Sequence, residues 1–451
     1  MSLRPFLLFS LLVLSGGLGR SEAAKRPEAI LLVVGDQHSA YERTAQFVAR
    51  VDRVRAENPG VPVAVAINGD SLEYGNAVAR RTAGAVDFAM FAALARRVPT
   101  VLNLGNHEPE FHDVQETVRR LREAGLIVIS GNLRDRSTGQ PFAPATATLA
   151  LGPHRLTVAG VTTDRLATFR VAIRPQLDLA DPVVWARENL PTLLRDGPLS
   201  VVLSHAGLRA DRAILPLLPD GTLFAGAHDH LRFVHEAGRT VYFHSGSWMD
   251  YVSVARLERA AGGLRWRVSQ EPLDEKPADA ALAELVRTTL AQHLTPEETA
   301  VVGRSPRALG PAEAARFAVE AARAAAGADA AMVGGTTFGA GLPAGAVSRF
   351  AFDACVRFDG PLFVGEVDGA WLQQLLARSN QGPETPFATR GGENLVAVGP
   401  TAIDPARRYR FVTSDWAAKN ARTYFGENPP TLAENPVGLR LKAAVLAALQ
   451  R

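Results

Sequence analysis

The chain has 451 residues, 47% hydrophobic and 21% charged, with a formal net charge of +3 from 49 basic and 46 acidic residues. That length exceeds one ordinary core, so two domains are expected. The charge balance and the lack of any Lys/Arg run exclude a basic nucleic-acid arm, and nucleic acid is not expected as a partner.

The first 24 residues read as a secretory signal. Arg4 gives a short positive region, and Ser21-Glu22-Ala23-Ala24 offers small-residue cleavage sites after Ala23 or Ala24. The apolar run between them, about 14 residues, is short of the roughly 20 that cross a bilayer. A periplasmic or secreted protein is expected, with no membrane span after cleavage. Cys355 is the only cysteine, so no intrachain disulfide can form. Within FAFDACVRF it reads as a buried small hydrophobe.

Next comes Ile30-Leu31-Leu32-Val33-Val34, a continuous apolar run of the kind buried on both faces of a sheet. It ends in Asp36-Gln37-His38, a carboxylate and an imidazole two residues apart. A helix is expected over 40–58, then a strand over 61–67 that ends in Asn68-Gly69-Asp70-Ser71. A helix over 77–97 leads to Val101-Leu102 and to Gly105-Asn106-His107-Glu108. Glu108 or Glu110 can hold the His107 imidazole as an acid–base partner. Helices are expected over 112–124 and 180–194. Further apolar strands end in Ser204-His205 and in Ala227-His228-Asp229-His230. Strands through Val241-Tyr242-Phe243-His244 and a hairpin over 252–268 complete the half.

Strand ends are where α/β sheets place their chemistry. Five of them here deliver Asp36, His38, Asp70, Asn106, His205, His228 and His230 to one rim. This set of oxygen and nitrogen donors suits two divalent metal ions. Its mix of imidazole and carboxylate points to Zn, Mn, Fe or Ni rather than to Ca or Mg alone.

These blocks resemble the calcineurin-like metallophosphoesterases, whose pattern reads D-x-H, G-D, G-N-H-[DE], H and G-H-x-H in that order. One departure is Ala227 where Gly is usual. The resemblance covers residues 28–270. It implies that Asp36, His38, Asp70 and His230 hold one ion and that Asp70, Asn106, His205 and His228 hold the other, with Asp70 bridging. It also implies that His107 stabilises the phosphoryl transition state, oriented by Glu110 or Glu108. Two such cations activate a water that attacks phosphorus and clamp an in-line displacement.

After a charged break at 271–277, a linker segment of amphipathic helix (271–300) is expected. The helix over 278–293 is followed by a second over 296–302, and an Ala-rich helix runs over 311–326. The rest, 301–451, is expected to form a second domain, and most of residues 300–426 resembles the C-terminal domain of the 5′-nucleotidase branch of the same superfamily. In that branch two aromatics sandwich the nucleoside base; the matching positions are Phe358 and Trp416, each also readable as core. Gly334 and Gly335 match the N-G-G loop, but no Arg follows them, and Arg422 stands where the branch has its ribose-binding Asp. Arg357, Arg390 or Arg422 can bind an anion instead.

The expected fold is thus α/β (α+β): a four-layer β-sandwich flanked by helices, plus a smaller α/β domain that supplies substrate contacts. The expected activity is that of an exported dinuclear-metal phosphoester hydrolase of the 5′-nucleotidase type, its partner a small-molecule phosphoester, a nucleotide by preference. The alternatives are a thiosulfohydrolase-like enzyme of sulfur oxidation, a cyclic-nucleotide phosphodiesterase, and a metal-stabilised binding protein without turnover. The presence of His107 argues against the last.

Overall fold

The computed structural model describes residues 26–195, 197 and 199–451, so the expected signal lies outside the described residues. Ala29–Val34, Val63–Asn68, Thr100–Asn103 and Ile127–Ile129 form four parallel neighbours in a six-stranded sheet. The hairpin Tyr251–Ala260 and Gly263–Pro272 continues that sheet antiparallel from Ala29–Val34. A second six-stranded sheet runs in the order Arg232–Ala237, Thr240–Ser245, Leu223–Gly226, Leu199–His205, His154–Thr162, Thr146–Leu151. Its four central strands are parallel and its two edges antiparallel.

The two-residue period of a strand explains the layering. Ile30, Leu32 and Val34 face a helical layer that includes Phe47, Val48 and Val51. Leu31 and Val33 face the other way, into a core shared with Val201, Leu203 and Phe243 of the second sheet. The outer face of that sheet, with Val202, Phe224 and Tyr242, is covered by Trp185 and Leu190 of helix Pro182–Leu193. Helix, sheet, sheet and helix make the four expected layers. All the parallel strands present their C-terminal ends to one rim.

Two expected elements differ. The helix over 77–97 is two helices, Ala77–Thr82 and Ala85–Ala95. Ala83 and Gly84, at φ of 50° and 77°, both take the left-handed conformation that ends a helix. The helix that begins at Pro296 stops at Thr299, and Val301–Ser305 is a strand paired with Gly345–Ser348. The β-branched pair Val301-Val302 favours the strand.

The linker helix, Ala280–His293, packs on the first domain's helical layer through Leu282. In the second domain, a five-stranded sheet runs in the order Leu395–Val398, Ala330–Gly334, Arg408–Ser414, Leu362–Asp368, Ala433–Glu434. Helices Pro311–Ala325 and Leu441–Leu449 cover one face, and Gly369–Ala377 covers the other. Cys355 is buried, and burial pushes its thiol up to about 12.

Candidate metal centre

The rim is built with unusual backbone. Asp36, His38, Asp70, His228 and His230 all have positive φ, between 50° and 79°. Side-chain-bearing residues adopt this conformation at a cost of order 1–3 kcal/mol each, and such strain collects at functional sites. Close packing enforces it. A Cβ on Gly69 would come within 2.6 Å of His205 Nδ1, and one on Gly105 within 2.4 Å of Asp70 Oδ1. Glu108 clasps the same turn by accepting from the N–H groups of Gly105 (2.6 Å), Ser71 (2.8 Å) and Asp70 (3.0 Å). Below it, Asn68 and Asn103 stitch the two sheets together. Asn68 Nδ2 donates to the carbonyls of Ser204 and Ala225, and Asn103 Nδ2 to those of Val161 and Leu203.

The expected donors converge in overlapping groups. The ligand atoms of Asp36, His38 and His230 lie within 4.8 Å of one another, as do those of Asp70, His205 and His228, and those of His38, Asp70 and His107. His205 donates from Nδ1 to the Asn68 carbonyl at 2.7 Å, which leaves Nε2 3.0 Å from Asp70 Oδ2. Nε2 of His38 and Nε2 of His230 face each other at 3.0 Å. Asn106 Oδ1 and His228 Nδ1 are buried without a hydrogen-bond partner among the described residues. Orphaned buried acceptors are rare unless something else is meant to sit there, and a divalent ion suits both atoms.

The electrostatics fit the same group. Burial, then the Arg357 guanidinium, holds His38 down to about 3; burial, then His205, does the same to His228. Burial also holds His230 well below its ordinary value. All three imidazoles are therefore neutral, as a ligand must be. Burial raises Asp36 to about 7, against the pull of His205. Burial also opposes ionisation of Asp70, but His205 and His107 outweigh it and hold that carboxyl well below the usual range.

His107 stands beside this set. Glu110 Oε1 is 2.7 Å from its Nδ1, so Glu110 is the partner and Glu108 serves the backbone. Burial pulls His107 down, but the carboxylates of Asp70 and Glu110 prevail and push it up to about 9.

The second domain reaches the rim through Arg357. Its Nη2 lies 3.2 Å from His38 Nδ1 and pairs with Glu73, a buried carboxylate that the sequence reading did not single out. Phe358 and Trp416 are 51% and 43% exposed, so neither is core. They precede Leu362 and follow Ser414, residues paired across neighbouring strands, so the two segments that carry them lie at the same end of the sheet. Gly334 packs under Tyr424 and Gly335 under Asn394. Gly335 and His230 also line a cleft of about 510 Å³ between the domains, together with Arg232, Tyr251, Arg316 and Asn394. Arg422 is exposed and makes no side-chain hydrogen bond or ion pair among the described residues. Arg390 is buried against Phe233, its Nη2 donating to the carbonyls of Gly382 and Thr385, which makes it an anchor of its own loop.

The family model of calcineurin-like phosphoesterases matches residues 30–232, and that of the 5′-nucleotidase C-terminal domain matches residues 292–427. The chain belongs to the calcineurin-like phosphoesterases, in the two-domain 5′-nucleotidase branch. Metal-dependent phosphoester hydrolysis is the activity of that family. Among solved structures, the chain is similar to a 5′-nucleotidase precursor of Thermus thermophilus at 18% identity and a TM-score of 0.61, covering 94% of this chain and 96% of that one. It is similar to the sulfate thiohydrolase of Thermus thermophilus at 16% identity and a TM-score of 0.63, over 94% and 95% of the two chains. A 5′-nucleotidase of Candida albicans aligns at 12% identity and a TM-score of 0.59, over 94% and 98%. These likenesses establish the shared two-domain fold. No curated protein matches the chain.

Proposed function

We propose that this phosphoesterase is an exported nucleotide phosphatase of the 5′-nucleotidase type, with one ion held by Asp36, His38, Asp70 and His230 and the other by Asp70, Asn106, His205 and His228. Two divalent ions bound there supply Lewis acidity at the phosphoryl group and a nucleophile at neutral pH. The remaining chemistry falls to the chain. Glu110 Oε1 stands 2.7 Å from His107 Nδ1, which leaves Nε2 as the atom to meet a phosphoryl or leaving-group oxygen. A cationic ring there offsets the charge that develops in the transition state. The Asp70 carboxylate accepts the backbone N–H of His107 at 2.8 Å, which ties the acid to the bridging position. The exported location rests on the leader pattern around Arg4 and Ala23.

The observation that carries the nucleotide reading is the pair of exposed rings, Phe358 and Trp416, at one sheet end, next to an arginine that reaches His38. Exposed aromatics that neighbour a phosphoryl site offer a stacking surface for a base. Trp416→Ala is expected to raise KM for a nucleoside monophosphate about tenfold, in line with roughly 1–3 kcal/mol of stacking, and to leave p-nitrophenyl phosphate unaffected. An equal response to both substrates would reduce the assignment to a phosphoesterase of other specificity. A panel that adds cyclic nucleotides and a thiosulfate ester separates the alternative substrates.

A further inference from the structure

Glu73 and Arg357 form a buried ion pair that joins the second domain directly to a proposed metal ligand, and they are 284 residues apart in the chain. Glu73 lies three residues beyond Asp70 and is 3% exposed. Its Oε2 is 3.3 Å from His38 Nδ1, the nitrogen turned away from His230. A carboxylate on the outer nitrogen of a ligating imidazole fixes the ring's rotation and directs the other nitrogen to the metal. Glu73 in turn has no basic partner but Arg357 and His38 among the described residues.

Arg357 is itself held from the second domain. Its Nη1 donates to the Thr336 carbonyl at 3.1 Å, and its backbone N–H donates to that of Thr337 at 3.0 Å. The guanidinium carbon sits 5.7 Å from the Trp248 ring, which stacks on His38 at 5.7 Å between centroids. Trp248 is wedged between the domains: a Cβ on Gly339 would come within 2.2 Å of it. His38 is thus braced on one face by Trp248 and at its outer nitrogen by a carboxylate whose countercharge belongs to the other domain.

Resting on the dinuclear reading above, we propose that Arg357 is a positioning residue which, through Glu73, orients His38 and so completes one of the two ion sites only when the domains are docked. The other site, with Asn106, His205 and His228, lies on elements of the first domain alone and does not depend on it.

The test is Co²⁺ binding to the metal-free full chain, followed by its visible spectrum and by calorimetry. Wild type is expected to bind two ions. Arg357→Ala is expected to weaken one of them by about 10–100-fold, the range for loss of a partner behind a ligand, and to leave the other unchanged. Arg357→Lys should recover part of the loss. Glu73→Gln, nearly isosteric, should weaken the same site and serves if Arg357→Ala does not fold. Arg212→Ala loosens a different interdomain contact, its guanidinium donating to the Arg390 carbonyl at 2.7 Å. It is expected to keep both affinities. Two ions bound by Arg357→Ala with wild-type affinity overturn the proposal alone, as does an equal weakening of both sites in Arg357→Ala and Arg212→Ala. Fewer than two ions bound by wild type overturn the dinuclear reading and this proposal with it.

Discussion

In the proposed mechanism, His107 is the residue that separates metal binding from turnover. Its backbone N–H donates to Asp70 at 2.8 Å, its ring packs edge-on against His38, and its Nδ1 lies 2.7 Å from Glu110 Oε1. His107→Ala is therefore expected to retain both ions and to lose roughly 10²–10⁴-fold in kcat, the usual worth of a positioned acid or charge stabiliser. Metal content and kcat measured on one preparation check this; unchanged turnover with two ions bound removes His107 from the mechanism. At this scale the sequence spoke clearly where one short stretch holds all the partners. It left Glu108 and Glu110 open because both follow His107 within one turn, and only the fold shows Glu108 spent on three backbone N–H groups. Glu73 was invisible for a different reason: its countercharge, Arg357, belongs to the other domain.

The elements that were legible are those whose role is written in apolar runs. Each parallel strand that feeds the rim announces itself by β-branched and aliphatic residues and then stops at a Gly, Asp, Asn or His. The helices are less legible where tertiary packing breaks them. Ala83 has high helix propensity, yet it ends a helix because Gly84 beside it packs against the rings of Phe88 and Phe111. The second of these helices, Ala85–Ala95, carries a buried acid in its first turn. Asp87 is 1% exposed, with Tyr41 donating to it at 3.3 Å. Burial raises it to about 7, against the hydrogen bonds from Ser39 and Tyr41. The folded state thus holds a proton that the unfolded chain, titrating near pH 4, gives up. Its stabilising effect is full below pH 4 and is lost as pH rises to about 7, a change on the order of a few kcal/mol. Asp87→Asn is expected to remove that decline. Urea unfolding midpoints of both proteins at pH 4, 5.5 and 7.5 test it: the variant's advantage should grow with pH, and parallel profiles would contradict it.

The whole molecule depends on contacts that no local pattern announces. The second domain lays residues 380–394 along the first. Phe387 stacks on His235 at 4.2 Å, Arg390 sits over Phe233, and Glu393 meets Arg165 at 3.5 Å. The two-domain plan and the convergence of the candidate donors on one rim were legible from order and spacing. This docking could not, because each contact joins residues more than 100 positions apart. Exposure of Phe358 and Trp416 was equally hidden, since an aromatic beside Val356 and Pro361 reads as core until the sheet end is seen.

On the proposed reading, the rim of the first domain holds two metal ions with Asp70 between them. Anomalous diffraction from crystals of the full chain grown with Mn²⁺ tests it most directly. Two peaks about 3.5–4 Å apart are expected, the usual spacing of such pairs. One should lie among Asp36, His38 and His230, and the other among Asn106, His205 and His228, with Asp70 touching both. A single peak, or peaks that leave Asn106 or Asp70 out of contact, would contradict it.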